Sequence, residues 1–167
     1  MELFFRDNFF STGLTEIMDG NGEVAGSVDL KSAFGSSVDV YDAGGRLAFG
    51  GKFRFFVGKW EVSDAAGQLV GVLRTRMSLM SKRYEYDAGP RGVYEITSPA
   101  FSKEYIIQGD DGKTVAVFNQ TSRWFQSGAF HLENDSLLLD SYELIVVIMG
   151  IHAIQNRNSS AGSQSSV

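Results

Sequence analysis

Short stretches of alternating apolar and polar residues recur along most of the chain. Val38 and Val40 alternate with Asp39 and Tyr41, Trp60 and Val62 with Glu61 and Ser63, and Tyr84 and Tyr86 with Glu85 and Asp87; Val115 and Val117 flank Ala116. A period of two sends every second side chain to one face, so each stretch predicts a half-buried β-strand. Similar punctuation stands between them: Asp19-Gly20-Asn21-Gly22, Asp42-Ala43-Gly44-Gly45, Asp64-Ala65-Ala66-Gly67 and Asp110-Asp111-Gly112, each followed by a polar residue and a new apolar run. Asp opens such a turn by bonding its own backbone, and Gly closes it by taking a positive φ.

The turns are evenly spaced. Gly22 to Gly45 is 23 residues, Gly45 to Gly67 is 22, and Gly67 to Gly112 is 45, which is two steps. The skipped turn belongs near residue 89 or 90, where Asp87-Ala88-Gly89-Pro90-Arg91-Gly92 stands, and one step beyond Gly112 lies Asn134-Asp135. A second series, Phe10, Phe34, Phe56, Leu79, Phe101 and Phe125, runs out of phase with the first, each beside a small or polar residue (Ser11, Gly35, Gly58, Ser78, Ser102, Ser127). These read as the opposite strand ends, each with a large side chain plugging the layer. Six turns and six corners predict about twelve strands, with the aromatics as core.

After Leu139 the alternation stops. Asp140-Ser141-Tyr142-Glu143 has a capping side chain followed three residues later by an acid, and Leu144 to Ile154 is apolar on every side. A buried helix, a central strand and a dip into a membrane are the readings open to this run. At 1.5 Å per residue it makes only about 16 Å of helix, short of a bilayer core of about 30 Å. The cap and the length favour a helix over 141–155. A closed sheet of about twelve strands is too wide for its own side chains to fill, and this helix supplies the plug. The expectation is thus an all-β domain over 1–155, a closed antiparallel barrel of about twelve strands around a central hydrophobic C-terminal helix. A β-trefoil, also built of six hairpins, would leave the helix without a place. Residues 156–167, rich in Ser, Asn and Gly, are expected to form a disordered tail.

The repeated Asp-x-x-Gly turns, the stretch Met77-Ser78-Leu79-Met80-Ser81-Lys82-Arg83-Tyr84, the stretch Phe101-Ser102-Lys103-Glu104-Tyr105-Ile106-Ile107-Gln108-Gly109 and the apolar C-terminal helix together resemble the LURF-one-related group of the Tubby C-terminal-like superfamily. The resemblance runs from about Leu3 to Ile154. It implies a twelve-stranded barrel around a hydrophobic helix, in a superfamily whose members bind phosphoinositides (Tubby proteins) or are associated with phospholipid movement (scramblases). The basic residues of the Tubby phosphoinositide pocket do not map residue by residue onto this chain.

Composition narrows the chemistry. The 167 residues hold 15 Lys and Arg against 20 Asp and Glu, a net charge of −5. That argues against a nucleic-acid partner and weakens attraction to anionic membranes. There is no cysteine, and the histidines are His131 and His152 alone. Disulfides and thiolate chemistry are excluded, and no metal site is expected. Charges within Met1 to Asp7 stand where a signal peptide needs an apolar run, giving the expectation of a cytoplasmic protein, peripheral to a membrane if it meets lipid.

Enzymatic motifs fail in turn. Gly20-x-Gly22-x-x-Ala25 lacks the helix whose amides would hold a pyrophosphate. Asp19, Asn21 and Glu23 begin like a calcium loop, but its twelfth position is Leu30, not a bidentate Glu. No nucleophile elbow accompanies the histidines; His131 reads as an outward strand residue and His152 as a polar tip at the barrel mouth. The carboxylate pairs Glu85 with Asp87 and Asp110 with Asp111 read as solvated. The expectation is a non-enzymatic protein without catalytic residues or cofactors. The basic residues carry the functional hypothesis: Arg74 and Arg76 share a strand face, Lys82 and Arg83 open the next strand, and together they could dock a phospholipid headgroup or a phosphorylated ligand. The bland reading is cross-strand charge pairing. Lys52, Arg54 and Lys59 form a weaker cluster. The alternative function is a soluble protein-interaction or scaffold module.

Overall fold

The structure is a computed structural model, and it describes residues 1–31, 36–54, 58–76, 82–99, 103–121 and 129–162, with the side chains of 161 and 162 left aside. Twelve strands follow in order: β1 (Glu2–Phe5), β2 (Gly13–Asp19), β3 (Val24–Leu30), β4 (Ser37–Asp42), β5 (Leu47–Phe53), β6 (Trp60–Asp64), β7 (Leu69–Arg76), β8 (Lys82–Asp87), β9 (Val93–Ser98), β10 (Tyr105–Gln108), β11 (Thr114–Thr121) and β12 (Ala129–Asn134). Each pairs antiparallel with its chain neighbours, and β12 pairs with β1, closing the barrel. One helix, α1 (Ser141–Gly162), follows.

The turn chemistry is the one the spacing predicts. Asp42 Oδ1 accepts from the backbone N–H of Gly44 at 2.9 Å and Arg46 at 3.0 Å; Asp64 Oδ1 accepts from Ala66 and Gln68, both at 2.9 Å. Gly45 and Gly67 stand at φ +73° and +78°, where a Cβ would be strained. Asp19 makes the same bonds to Asn21 and Glu23, which draw its carboxyl below the ordinary range and leave turn closure as the work of the apparent calcium-loop start. At the skipped position the chain forms a 3₁₀ turn over Gly89–Arg91. At the last, Asn134 Nδ2 donates to Leu139 O at 2.9 Å and Ser141 Oγ at 3.0 Å, tying the barrel to the helix start.

These turns lie at one end of the barrel, the turn end, where α1 enters. The links β1–β2, β3–β4 and so on lie at the other, the corner end. Of the predicted corner plugs, Phe10 is half-buried while its neighbour Phe9 is fully buried and does the filling. Phe34, Phe56, Leu79, Phe101 and Phe125, with Gly35, Ser78, Ser102 and Ser127, fall outside the described residues, as do Met77–Ser81 and Phe101–Ser102 of the two quoted stretches.

Leu144 to Ile148 are wholly buried inside the barrel. The helix packs chiefly on β4, β5, β6 and β7, so it lies to one side of the axis. Phe5, Phe9, Phe118 and Phe130 pack ring on ring within the rest of the core; Phe118 and Phe130 stack with centroids 5.4 Å apart. Close approach is allowed by missing side chains: a Cβ on Gly51 of β5 would lie 2.5 Å from Val146, and one on Gly150 of α1 would lie 2.5 Å from Trp60. Trp60 is thus gripped between wall and helix.

Two expectations need correction. The helix continues to Gly162, seven residues past its expected end at 155, so 156–162 are helical and not a disordered tail. Ser159 and Ser160 turn their hydroxyls back onto the carbonyls of Gln155 and Asn156, four residues earlier, and so close the final turns with polar side chains. Residues 163–167 lie outside the described set. Among the described residues no helix is long and apolar enough to cross a membrane.

Candidate functional site

Strands β7 and β8 set Arg74 opposite Glu85 and Arg76 opposite Arg83, and β9 sets Glu95 opposite Glu85 on its other side. The strand period puts Arg74 and Arg76 on the outer wall together with Arg83, Glu85 and Asp87. Arg74 Nε and Nη2 both reach Glu85 Oε1 at 2.6 Å, and Arg76 Nη2 bonds Glu85 Oε2. The Glu85 side chain is only 8% exposed although it stands on the outer wall. That corrects its reading as solvated: its cross-strand and diagonal neighbours are long arginines that bond its oxygens and cover it. Arg74 also approaches Asp87 Oδ2 at 3.6 Å, and Arg83 lies 3.3 Å from Glu95.

The structure therefore brings Arg74, Arg76 and Arg83 together and interleaves them with Glu85, Asp87 and Glu95. Lys82, one residue from Arg83, shares the parity of the inward-facing Tyr84 and stands exposed at the corner rim, apart from the three arginines. A surface groove of about 330 Å³ runs beside Arg76, lined also by Glu85, Glu95, Gln108 and Asp110. In the weaker cluster, Lys52 is registered opposite Glu61, and Arg54 lies 3.5 Å from the same Glu61.

A second charged constellation escaped the sequence reading. Glu143, wholly buried in the first turn of α1, accepts from Arg91 Nη1 at 2.6 Å, Arg91 Nη2 at 2.7 Å and the Tyr86 hydroxyl. Arg91 also donates to the Val70 carbonyl at 2.8 Å. Burial and the Glu143 carboxylate push the Tyr86 hydroxyl pKa well up, and Glu143 keeps Arg91 charged. The helix N-terminus favours this carboxylate, and the bidentate fork fixes the helix to the turn end. Asp140 caps the helix as expected, accepting from Tyr142 N at 2.7 Å, while Glu143 turns inward to Arg91. The available signal was Glu143 itself, the sole acid of the helix and the residue directly before its apolar run.

At the corner end, His152 stacks on Phe10 with centroids 4.5 Å apart and meets Asn156 Nδ2 at 3.1 Å; burial, then Lys103, pushes its pKa down. Gln155 donates to the Tyr84 hydroxyl at 3.0 Å, and burial raises the neighbouring Tyr105 hydroxyl to about 12. His131 faces outward on β12, stacked on Phe4 and 3.4 Å from Glu2. The histidines sit in separate places, one on the outer wall and one in the barrel mouth. Among the described residues no group of three or more His, Asp or Glu could hold a metal ion.

A solved structure has the same architecture. The X-ray structure of a protein from Arabidopsis thaliana superposes with a TM-score of 0.59 at 13% identity, covering 94% of this chain and 91% of that one. The likeness is one of fold. No family model matches the sequence, and no curated protein matches it.

Proposed function

We propose that the chain is a non-enzymatic binding module of the Tubby C-terminal-like class, LURF-one-related in type, which meets phospholipid headgroups at the cytoplasmic face of a membrane. The observation that supports this is the sharing of one buried carboxylate by two arginines. Arg74 and Arg76 both bond the buried Glu85, Arg74 also lies 3.6 Å from Asp87, and the Arg76 side chain is 63% exposed. The Arg83–Glu95 contact is half-exposed on both sides, the kind of pair a headgroup phosphate with more charge and more acceptor oxygens displaces. The test is sedimentation with anionic vesicles using Arg76→Gln with Arg83→Gln; Arg74 is kept because it holds the buried Glu85. A several-fold loss of binding at low salt supports the site, and binding equal to the native chain's removes it.

A different observation favours a protein partner as the second reading. Leu137 is 99% exposed, and Leu69, Leu138 and Val93 are also exposed at the turn end. That end is acidic and unsuited to an anionic membrane. Leu137→Ser with Leu138→Ser should abolish capture of a specific partner; an unchanged pulldown would sink this reading.

A further inference from the structure

From the distribution of charge along the barrel axis we infer that the protein adsorbs end-on to anionic lipid, corner end first. The inference rests on the membrane reading above but not on its arginine site. Take the links, the two strand residues flanking each, and the helix terminus at that end. Among the described residues the corner end then carries ten Lys and Arg against four Asp and Glu, with Glu16, Asp39, Glu85 and Glu95 pairing to its cations from mid-strand, and the turn end carries three against eleven. The topology causes this segregation. Every Asp-led turn follows an even-numbered strand, while Lys31, Arg54, Lys59 and Lys103 lie in links that follow odd-numbered ones. At the same end the cations rest on apolar rings: Lys103 Nζ is 5.5 Å from the Phe130 centroid, and Arg157 lies 3.5 Å from that of Phe53.

Strands of four to eight residues, most of them six or longer, separate the two ends by roughly 15–20 Å, about two screening lengths at physiological salt. A surface touching the corner end therefore feels its positive excess and little of the distant acidic end. The net charge of −5, which by itself predicts weak attraction to anionic membranes, is outweighed by where the charges stand. Each cation brought to an anionic surface multiplies partitioning about fivefold.

Two double variants with the same net charge separate this from a bulk-charge effect: Lys52→Glu with Lys82→Glu at the corner end, and Arg46→Glu with Lys113→Glu at the turn end. With phosphatidylcholine vesicles containing phosphatidylserine at low salt, the corner variant should lose roughly twentyfold or more in binding, and the turn variant less than about twofold. The chain has no cysteine, so a fluorophore on Lys82→Cys or Lys113→Cys reports one place only. A lipid-confined quencher should quench the first and spare the second. Equal losses in the two double variants, equal quenching, or binding indifferent to phosphatidylserine would overturn the inference. A soluble inositol phosphate decides separately on the arginine site. Vesicle binding that it fails to displace keeps the end-on orientation and discards the site, whereas calorimetric binding of it without vesicle binding does the reverse.

Discussion

Gly150 sets two effects of opposite sign against each other. Within an exposed helix, Gly→Ala stabilises by about 1 kcal/mol, because Ala restricts the unfolded backbone more and favours helix. In α1 the new Cβ would lie 2.5, 2.6 and 2.7 Å from Cδ1, Nε1 and Cγ of Trp60, where ordinary contact is about 3.5–4.0 Å. The indole cannot retreat, since its far edge already lies against Gly51, where a Cβ would stand 2.6 Å from Cζ2. Overpacking of a rigid core costs about 1–3 kcal/mol, and an overlap of about 1 Å with three ring atoms belongs at the upper end. The net expectation for Gly150→Ala is a loss of about 2 kcal/mol, or a Tm lower by about 4–8 °C in thermal melts followed by circular dichroism. In a Trp60→Phe background, which also removes an indole N–H with no acceptor among the described residues, the same change should be neutral or stabilising. A Gly150→Ala protein that melts higher than the native one would show that the helix is not pressed against Trp60, and the account of the packed interior would fail.

Ile148→Asp places an unpaired charge at a wholly buried position, at a cost of several kcal/mol against a total stability of about 5–15; an unfolded variant is expected, and a soluble one with native circular dichroism would refute burial. Glu143→Gln breaks the fork to Arg91 and should cost about 3 kcal/mol, near the low end for a buried pair because Arg91 can turn to solvent, whereas Tyr86→Phe, which removes one hydrogen bond, should cost about 1; urea titration distinguishes them. His152 is held below its ordinary value near 6.5, so the unfolded chain takes up a proton that the folded one refuses. Stability should therefore fall as pH drops below about 6.5 and level off once the folded-state value is passed, by at most about 1.4 kcal/mol per pH unit. His152→Gln should flatten this segment of the Tm profile.

The turns were legible because their chemistry is local: Asp42 and Gly45 meet within a few residues, and a step of 22 or 23 residues gives strand number without knowledge of any long-range contact. The plug was legible because a run with no polar side has nowhere else to go. What sequence could not place was whatever depends on partners far along the chain. Glu143 finds Arg91 at 52 residues' separation, and its spacing from Asp140 is equally that of a capping box. Glu85 looks solvated on an alternating strand until the register with β7 lays two arginines across it. The displacement of the helix toward β5 depends on Gly51, Trp60 and Gly150 meeting, and no periodicity announces that. Among the proposed site residues, strand parity alone separates Lys82 from Arg83. The axial charge separation needs the order of the links before it can be seen, because a net sum conceals it.

Closure between β1 and β12, with Glu2 opposite Glu133 and Phe5 opposite Phe130, joins segments almost a full domain apart in sequence. The segment that fills the ring comes after β12, later in the chain than every strand that surrounds it. Hairpins can zip within microseconds as their residues become available, but the seam has to stay unlatched until the carboxyl-terminal rod has slipped inside. A half-made sheet meanwhile exposes an unsatisfied greasy trough, the kind of intermediate that aggregates or calls for chaperones. Closing the ring and burying α1 are thus coupled, and a substitution that weakens either is expected to slow refolding even where the finished molecule would tolerate it.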